Sequence, residues 1–313
     1  MKNKLIIGSR SSKLALWQSN FIKSEIEKQS EDISVEIKKI KTKGDKILDV
    51  ALSKIGDKGL FTKELENELL YGTIDIAVHS LKDLETIIPE GLKLAVVTKR
   101  HKVNDVFIAK KPGITIDTLP KGATVATGSL RRKSQLQHLR PDITVLDLRG
   151  NVPTRIQKLL DSDWDAIILA CAGVERLNLV EHISSYIPIN QMLPAVGQGA
   201  LGIEIKKGNQ FAVNAIQSLH DENTYLAVTA ERSLLRALQG GCQVPIGAYA
   251  DVISDKLKIS AMVGSINGDT VIKKEITGDK HNPEQTGKRL ANALLNAGAK
   301  DILDEIYQSG AKD

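Results

Sequence analysis

The hydrophobic pattern changes period repeatedly along the chain. Leu5 to Ile7 is a short apolar run, and Leu14, Trp17, Phe21 and Ile26 follow near a 3.6-residue spacing, so a strand leads into an amphipathic helix. Val35 to Ile40 alternates as a strand does, Phe61, Leu65 and Leu69 mark a second helix, and TIDIAVHS (73–80) reads as a buried strand. ATVAT (123–127), ITVLDL (143–148) and DAIILACAG (165–173) repeat the theme, each followed by helix signals. Such alternation predicts α/β domains with largely parallel sheets. A charged stretch at 98–113 reads as a crossing into a second unit, and the glycine-rich stretch at 189–205 as a crossing back. From about Asp221 the style shifts. A helix with Leu226, Ala230, Leu234 and Leu238 precedes alternating strands at 244–253, 256–264 and 270–276, and a final helix carries Leu290, Leu294 and Leu295. This last third reads as a small α+β domain, and the sequence contains no evident internal repeat.

Composition narrows the class. The 313 residues are 42% hydrophobic and 26% charged, ordinary for a soluble globular chain, and long enough for two or three domains. No apolar run approaches the roughly 20 residues that span a bilayer, so no membrane association is expected. Two cysteines cannot form a disulfide framework, which points to a reducing cytoplasm. The net charge of +5 suits nucleic acid, an anionic surface or an acidic small molecule. Most lysines alternate with apolar residues as solvated strand faces do. Base-stacking aromatics and recognition motifs are missing, so nucleic acid is not an expected partner. The six histidines lack ligand spacing, so no metal is expected either.

The arginines are distributed differently. Three stretches run strand, glycine, then a helix start with arginine: LIIGSRSSK (5–13), VATGSLRRKSQL (125–136) and VLDLRGNVPTR (145–155). Ser129 suits an N-cap, which puts Arg131 and Arg132 in the first turn, and Pro153 suits the first helical position, which puts Arg155 there too. A cation in that turn opposes the helix dipole. One such arginine is more economically a surface or ion-pair residue; three in the same setting favour an anion site at the carboxyl ends of parallel strands. A fourth strand end, DIAVHSLKDL (75–84), sets Lys82 beside Asp83, with Ser80 just before and His79 alternating with Ala77. The pair reads as a surface ion pair or as a carboxylate able to carry a proton. Cys171 reads as a small buried hydrophobe. Cys242, in LQGGCQVPIG (238–247), follows two glycines that clear space around it. That setting suits a nucleophile or a covalent attachment point, and the residues alone leave its role open.

Those stretches, together with GDKGLFTKELE (56–66), PAVGQGALGIE (194–204) and TAERSLLRALQGGCQVPIG (229–247), resemble the porphobilinogen deaminase family over nearly the whole chain. The resemblance implies two α/β domains like the halves of a type II periplasmic binding protein plus a small α+β C-terminal domain. It implies domain 1 at 1–99 and 200–217, domain 2 at 105–193 and domain 3 at 222–313. It further implies a transferase that joins four porphobilinogen molecules into hydroxymethylbilane on a dipyrromethane cofactor, held by Cys242 through a thioether, in a cytoplasmic monomer. Asp83 is then the catalytic carboxylate. Lys82, Ser80, Thr127, Ser129, Arg131 and Arg132 are expected on the cofactor, and Arg10, Ser12, Arg149, Arg155, Arg176 and Gln198 on substrate and growing chain. The chain departs from the family's usual residues at Lys13, Ala126, Gly128 and Asn104, and in lacking a proline soon after Asp83. A non-enzymatic two-lobed sensor for a small polyanion is the rival reading; it accounts for the arginines but not for Asp83, Cys242 or the third domain.

Overall fold

A computed structural model describes residues 3–46, 59–241 and 244–310. In chain order the elements are β1 (Asn3–Ser9), α1 (Lys13–Gln29), β2 (Ile33–Lys39), α2 (Lys43–Lys46), α3 (Lys63–Tyr71), β3 (Ile76–Ser80), β4 (Leu92–Val97), β5 (Asp105–Ala109), β6 (Thr124–Ala126), α4 (Leu130–Leu139), β7 (Thr144–Leu146), α5 (Val152–Asp161), β8 (Ala166–Ala170), α6 (Cys171–Arg176), β9 (Ser185–Tyr186), β10 (Leu201–Lys206), α7 (Gln210–Ile216), α8 (Glu222–Ala237), β11 (Ile246–Ile253), β12 (Lys256–Gly264), β13 (Val271–Asp279), α9 (Pro283–Leu294) and α10 (Lys300–Gly310). They form two compact units. Among the described residues the first holds 3–46, 59–101 and 199–225, and the second holds 102–198 and 226–310.

The first unit is built on the sheet β2-β1-β3-β10-β4. β1 runs parallel to β2 and β3, whereas β10 is antiparallel to both its neighbours. The sheet is therefore mixed rather than largely parallel, because the late segment 201–206 returns and inserts beside β3. One face packs Leu5, Ile7, Ile76, Val78, Leu201 and Ile203 against Ile22 and Ile26 of α1 and Ile216 of α7. The other packs Ala77 and Leu92 against Leu65 and Leu69 of α3. Burial on both faces explains why β3 reads as a buried strand. Helix α1 forms where the periodicity places it but turns a different face inward. Gln18, Ser19, Ile22 and Ile26 are buried, while Phe21 is exposed and stacks on Trp17 one turn earlier at 5.5 Å.

The second unit carries the sheet β7-β6-β8-β5-β9, where β6 is parallel to β7 and β8, and β5 is antiparallel to β8 and β9. This is the layout of the first sheet: a parallel trio, then one inserted strand of opposite sense. Phe107, Ile168 and Leu136 centre one face, and Ile108, Ile167 and Ile156 the other. The same unit contains the antiparallel sheet β11-β12-β13, covered by α8, α9 and α10 around Leu234, Ile259, Leu290 and Leu294. Helix α10 extends the architecture beyond the last helix that the leucine pattern predicts. The buried carboxylate of Glu231 in α8 accepts the amides of Gly197 at 2.7 Å and Ala250 at 2.8 Å. It thereby ties the segment before Gln198 to β11.

Candidate functional site

In the first unit the candidate residues gather at the carboxyl ends of two adjacent parallel strands, β1 and β3, the edge where α/β sheets bind ligands. Arg10 follows β1, and its guanidinium lies over the Phe61 ring, 4.1 Å from the centroid, a cation–π contact that holds the head group in place. Arg10 precedes the helix rather than entering its first turn. Ser12 is the N-cap of α1, its hydroxyl accepting the Ala15 amide at 3.2 Å. Ser80 ends β3 and accepts a hydrogen bond from the buried Gln18 amide at 2.7 Å, which joins α1 to that strand end. Leu81 to Asp83 then make a single tight turn, in which Leu81 is buried, Lys82 half-buried and Asp83 exposed. The Leu81 amide donates to the Ala200 carbonyl at 3.0 Å, so β10 fixes the start of the turn.

In the second unit the candidates stand at the carboxyl ends of the parallel trio β7-β6-β8. Ser129 is the N-cap residue of α4, as the sequence suggests, but its side chain makes no capping bond; its amide donates instead to the Thr127 hydroxyl at 3.3 Å. Thr127 is itself buried. Arg131 and Arg132 occupy the first turn, and both are buried. Their Nη2 atoms hold the two oxygens of Asp105, each at 2.8 Å, while their Nη1 atoms reach the Leu193 carbonyl at 2.7 Å and the Ile168 carbonyl at 3.0 Å. Gln198 completes the cluster, its amide nitrogen donating to Asp105 at 2.9 Å and to the Val103 carbonyl at 2.7 Å. Burial alone would raise the Asp105 carboxyl, but the two guanidinium charges override it and hold it well below the usual carboxylate range. Among the described residues, one carboxylate against these two guanidinium groups leaves one positive charge in excess, and Arg132 Nε is buried with no hydrogen-bond partner.

Gly128 has a local reason. A Cβ there would lie 2.5 Å from the Leu148 carbonyl oxygen, closer than backbone tolerates. Asn104 donates from its amide to the Ile187 carbonyl at 2.9 Å. Farther along the same edge, Arg149 follows β7. Its Nε and Nη2 are buried without hydrogen-bond partners among the described residues, and burial lowers its pKa while Asp147 opposes the shift. Asn151 caps α5 and Pro153 falls in the first helical turn, with Arg155 Nε turned back to the Gly150 carbonyl at 2.7 Å. Arg176 ends α6, and burial lowers its pKa to about 10. Cys171, at the start of α6, is fully buried, and burial with Glu175 nearby pushes its thiol up to about 12. It is a packing residue with an inert thiol. Cys242 lies outside the described residues. Among the described residues no group of acidic, histidine and cysteine side chains is arranged to hold a metal ion, and no helix is long and apolar enough to cross a membrane.

Comparison with known proteins decides the family. Residues 5–214 match the model described as porphobilinogen deaminase, dipyromethane cofactor binding domain, and residues 225–296 match the porphobilinogen deaminase C-terminal domain. The chain belongs to the porphobilinogen deaminase family. It is 50% identical to the porphobilinogen deaminase of Chlorobium phaeobacteroides (strain BS1), over 99% of this chain and 100% of that one. The corresponding protein of Geobacter sulfurreducens is 47% identical over 98% and 96%. Among solved structures, the BvgS VFT2 domain of Bordetella pertussis overlaps 74% of this chain at 13% identity with a TM-score of 0.41.

The sequence motifs single out these strand ends but not Asp105, which the structure places at the centre of the second cluster. Its signal was a lone acidic residue opening the apolar run DVFIA, a position where a buried charge needs a partner. Phe61, beneath Arg10, was read only as part of a helical stripe. The linkage sign for Asp105 follows from its depressed folded pKa: its contribution is complete above the ordinary carboxylate value of about 3.9 and is lost as pH falls below it. Asp105→Asn leaves two buried guanidinium groups undercompensated and is expected to cost about 3–5 kcal/mol at neutral pH. Urea unfolding between pH 3 and 7 checks this; the variant's stability should also fall less steeply with acid than that of the parent chain.

Proposed function

We propose that this chain joins four porphobilinogen molecules head to tail into hydroxymethylbilane, releasing ammonia at each addition, on a dipyrromethane primer carried by Cys242. The observation that carries the reading is the gathering of guanidinium groups at strand ends, with the buried, unpartnered Nε and Nη2 of Arg149 foremost. Porphobilinogen bears an acetate and a propionate, and the product accumulates these carboxylates with every unit. Unpartnered guanidinium donors out of bulk water fit such groups, and the orphaned Arg132 Nε beside an excess positive charge fits another. The residues present therefore suit an acidic dipyrrole. When bound, that group supplies the free pyrrole carbon to which the first unit is joined.

The remaining chemistry belongs to this chain's side chains. Arg131 and Arg132, fixed by Asp105, give a positive field at the start of α4, with Ser129, Thr127, Ser80 and Lys82 as further primer contacts. Arg10, Ser12, Arg149, Arg155, Arg176 and Gln198 serve the substrate and the lengthening chain. Gln198 acts mainly through Asp105, because its amide nitrogen is engaged there. Loss of ammonia from porphobilinogen leaves a cationic methylene-pyrrole. The Asp83 carboxylate stabilises that charge and carries the proton exchanged at the pyrrole, on a turn open enough to admit it. The reading includes the three-domain division at 1–99 with 200–217, 105–193 and 222–313, and a cytoplasmic monomer that needs no metal.

Asp83→Asn is expected to fold normally and to consume porphobilinogen at least about a hundredfold more slowly, the scale of lost acid–base catalysis. Near-normal turnover removes Asp83 from the mechanism. Arg149→Leu is expected to stall elongation, seen by mass spectrometry as chains carrying fewer than the full number of added pyrroles. Normal release of the tetrapyrrole by that variant contradicts the role given to Arg149.

A further inference from the structure

The first unit buries a second polar cluster that the chemistry above does not use. Glu204 of β10 is fully buried and His79 of β3 nearly so, with His79 Nε2 3.3 Å from Glu204 Oε2. Neither Glu204 oxygen has a hydrogen-bond donor among the described residues, so the imidazole is the compensation in view. Glu66 of α3 is also buried; burial raises its carboxyl, and Glu204 nearby pushes the same way. The three residues share the α3 side of the sheet, since Ile76, Val78, Ile203 and Ile205 all point to the opposite core.

A buried polar pair is an expensive way to hold two strands together, and apolar residues of similar volume often do as well. Its attested use is to fix register. Here that need is specific. β3 and β10 are buried on both faces, so a one-residue slip would move apolar side chains from one core into another at little loss. Only His79 and Glu204 break the equivalence. In the observed register Gly202 stands directly opposite His79, and Glu204 is the next position on the same face. A Cβ at Gly202 would already crowd Leu81 and Leu94 at 2.9 Å, so this position admits no larger residue in the observed register. A slip of one residue would carry His79 into the aliphatic core around Ile7 and Ile203 and leave Glu204 without its partner. One residue beyond β3 begins the Leu81–Asp83 turn, anchored by the next rung of the same ladder through Ala200.

We infer that His79 and Glu204 are positioning residues: a polar register lock between β3 and β10 that sets where Lys82 and Asp83 stand. The turnover part of this inference rests on the function proposed above; the structural part does not.

The test replaces both partners by apolar residues, His79→Leu with Glu204→Leu. The unfolding midpoint should stay at or above that of the parent chain. Amide hydrogen exchange in peptides covering 79–84 and 200–204 should be at least about tenfold faster, with the β1–β2 amides unchanged. With porphobilinogen, kcat should fall at least about tenfold while KM stays within about twofold. The exchanged pair, His79→Glu with Glu204→His, should recover both readings. Parent-like exchange and kcat in the folded double leucine variant overturn the inference, as does an exchanged pair that folds yet recovers neither. Should the double leucine chain fail to fold, Glu204→Gln, which keeps shape without charge, is judged by the same exchange and kcat criteria. A parent chain that ignores porphobilinogen refutes the proposed function instead, and the exchange result still decides the register lock.

Discussion

One buried carboxylate organises the larger unit. Asp105 opens the inserted strand β5 and takes both guanidinium groups of the first turn of α4, with Gln198 as a third donor. The arrangement joins β5, α4 and the segment at 193–198 through polar contacts that water cannot screen. It also resolves an apparent conflict in the sequence. Two arginines at a helix start oppose the dipole, and a ligand is one way to compensate them. Here much of the compensation is internal, and what remains for a ligand is one positive charge and the unpartnered Arg132 Nε. A site of this kind is preorganised: its cations are placed before any acidic molecule arrives.

The rest of the candidate site follows from topology. In each unit a parallel trio of strands delivers its connections to one edge, and every described candidate residue except Gln198 lies on such a connection or at the strand end before it. Glycine and cap residues then shape the loops. Gly128 lets the β6–α4 connection pass against the Leu148 carbonyl, Ser12 and Asn151 close the first turns of α1 and α5, and Gln18 braces the end of β3. Gln18, a polar side chain, is thus buried as a brace, whereas Ser12 is half-buried and Asn151 exposed.

Local pattern showed much of this. The strand–helix alternation, the return segment ending in β10 and the three-stranded C-terminal sheet all follow from periodicity and composition. The inward face of α1 did not, because its deciding residue, Gln18, is buried for a hydrogen bond to Ser80 rather than for hydrophobicity. The antiparallel sense of β5 and β10 was equally hidden, since it arises from pairing with strands distant in sequence. The shared layout of the two sheets leaves no repeat in the residues, because the same backbone path is filled by different side chains. Asp105 and the His79–Glu204 pair were invisible for a related reason: an isolated acidic residue in an apolar run shows that a partner is needed but not which one.

In the function we propose, these preplaced cations serve an acidic pyrrole chain anchored through sulfur. The intact mass of the purified chain, followed by peptide mapping, tests it most directly. The account predicts a mass above that of the translated sequence by one dipyrrole, mapped to the peptide containing Cys242 and lost in Cys242→Ser. A mass equal to the bare polypeptide, unchanged after incubation with porphobilinogen, contradicts it.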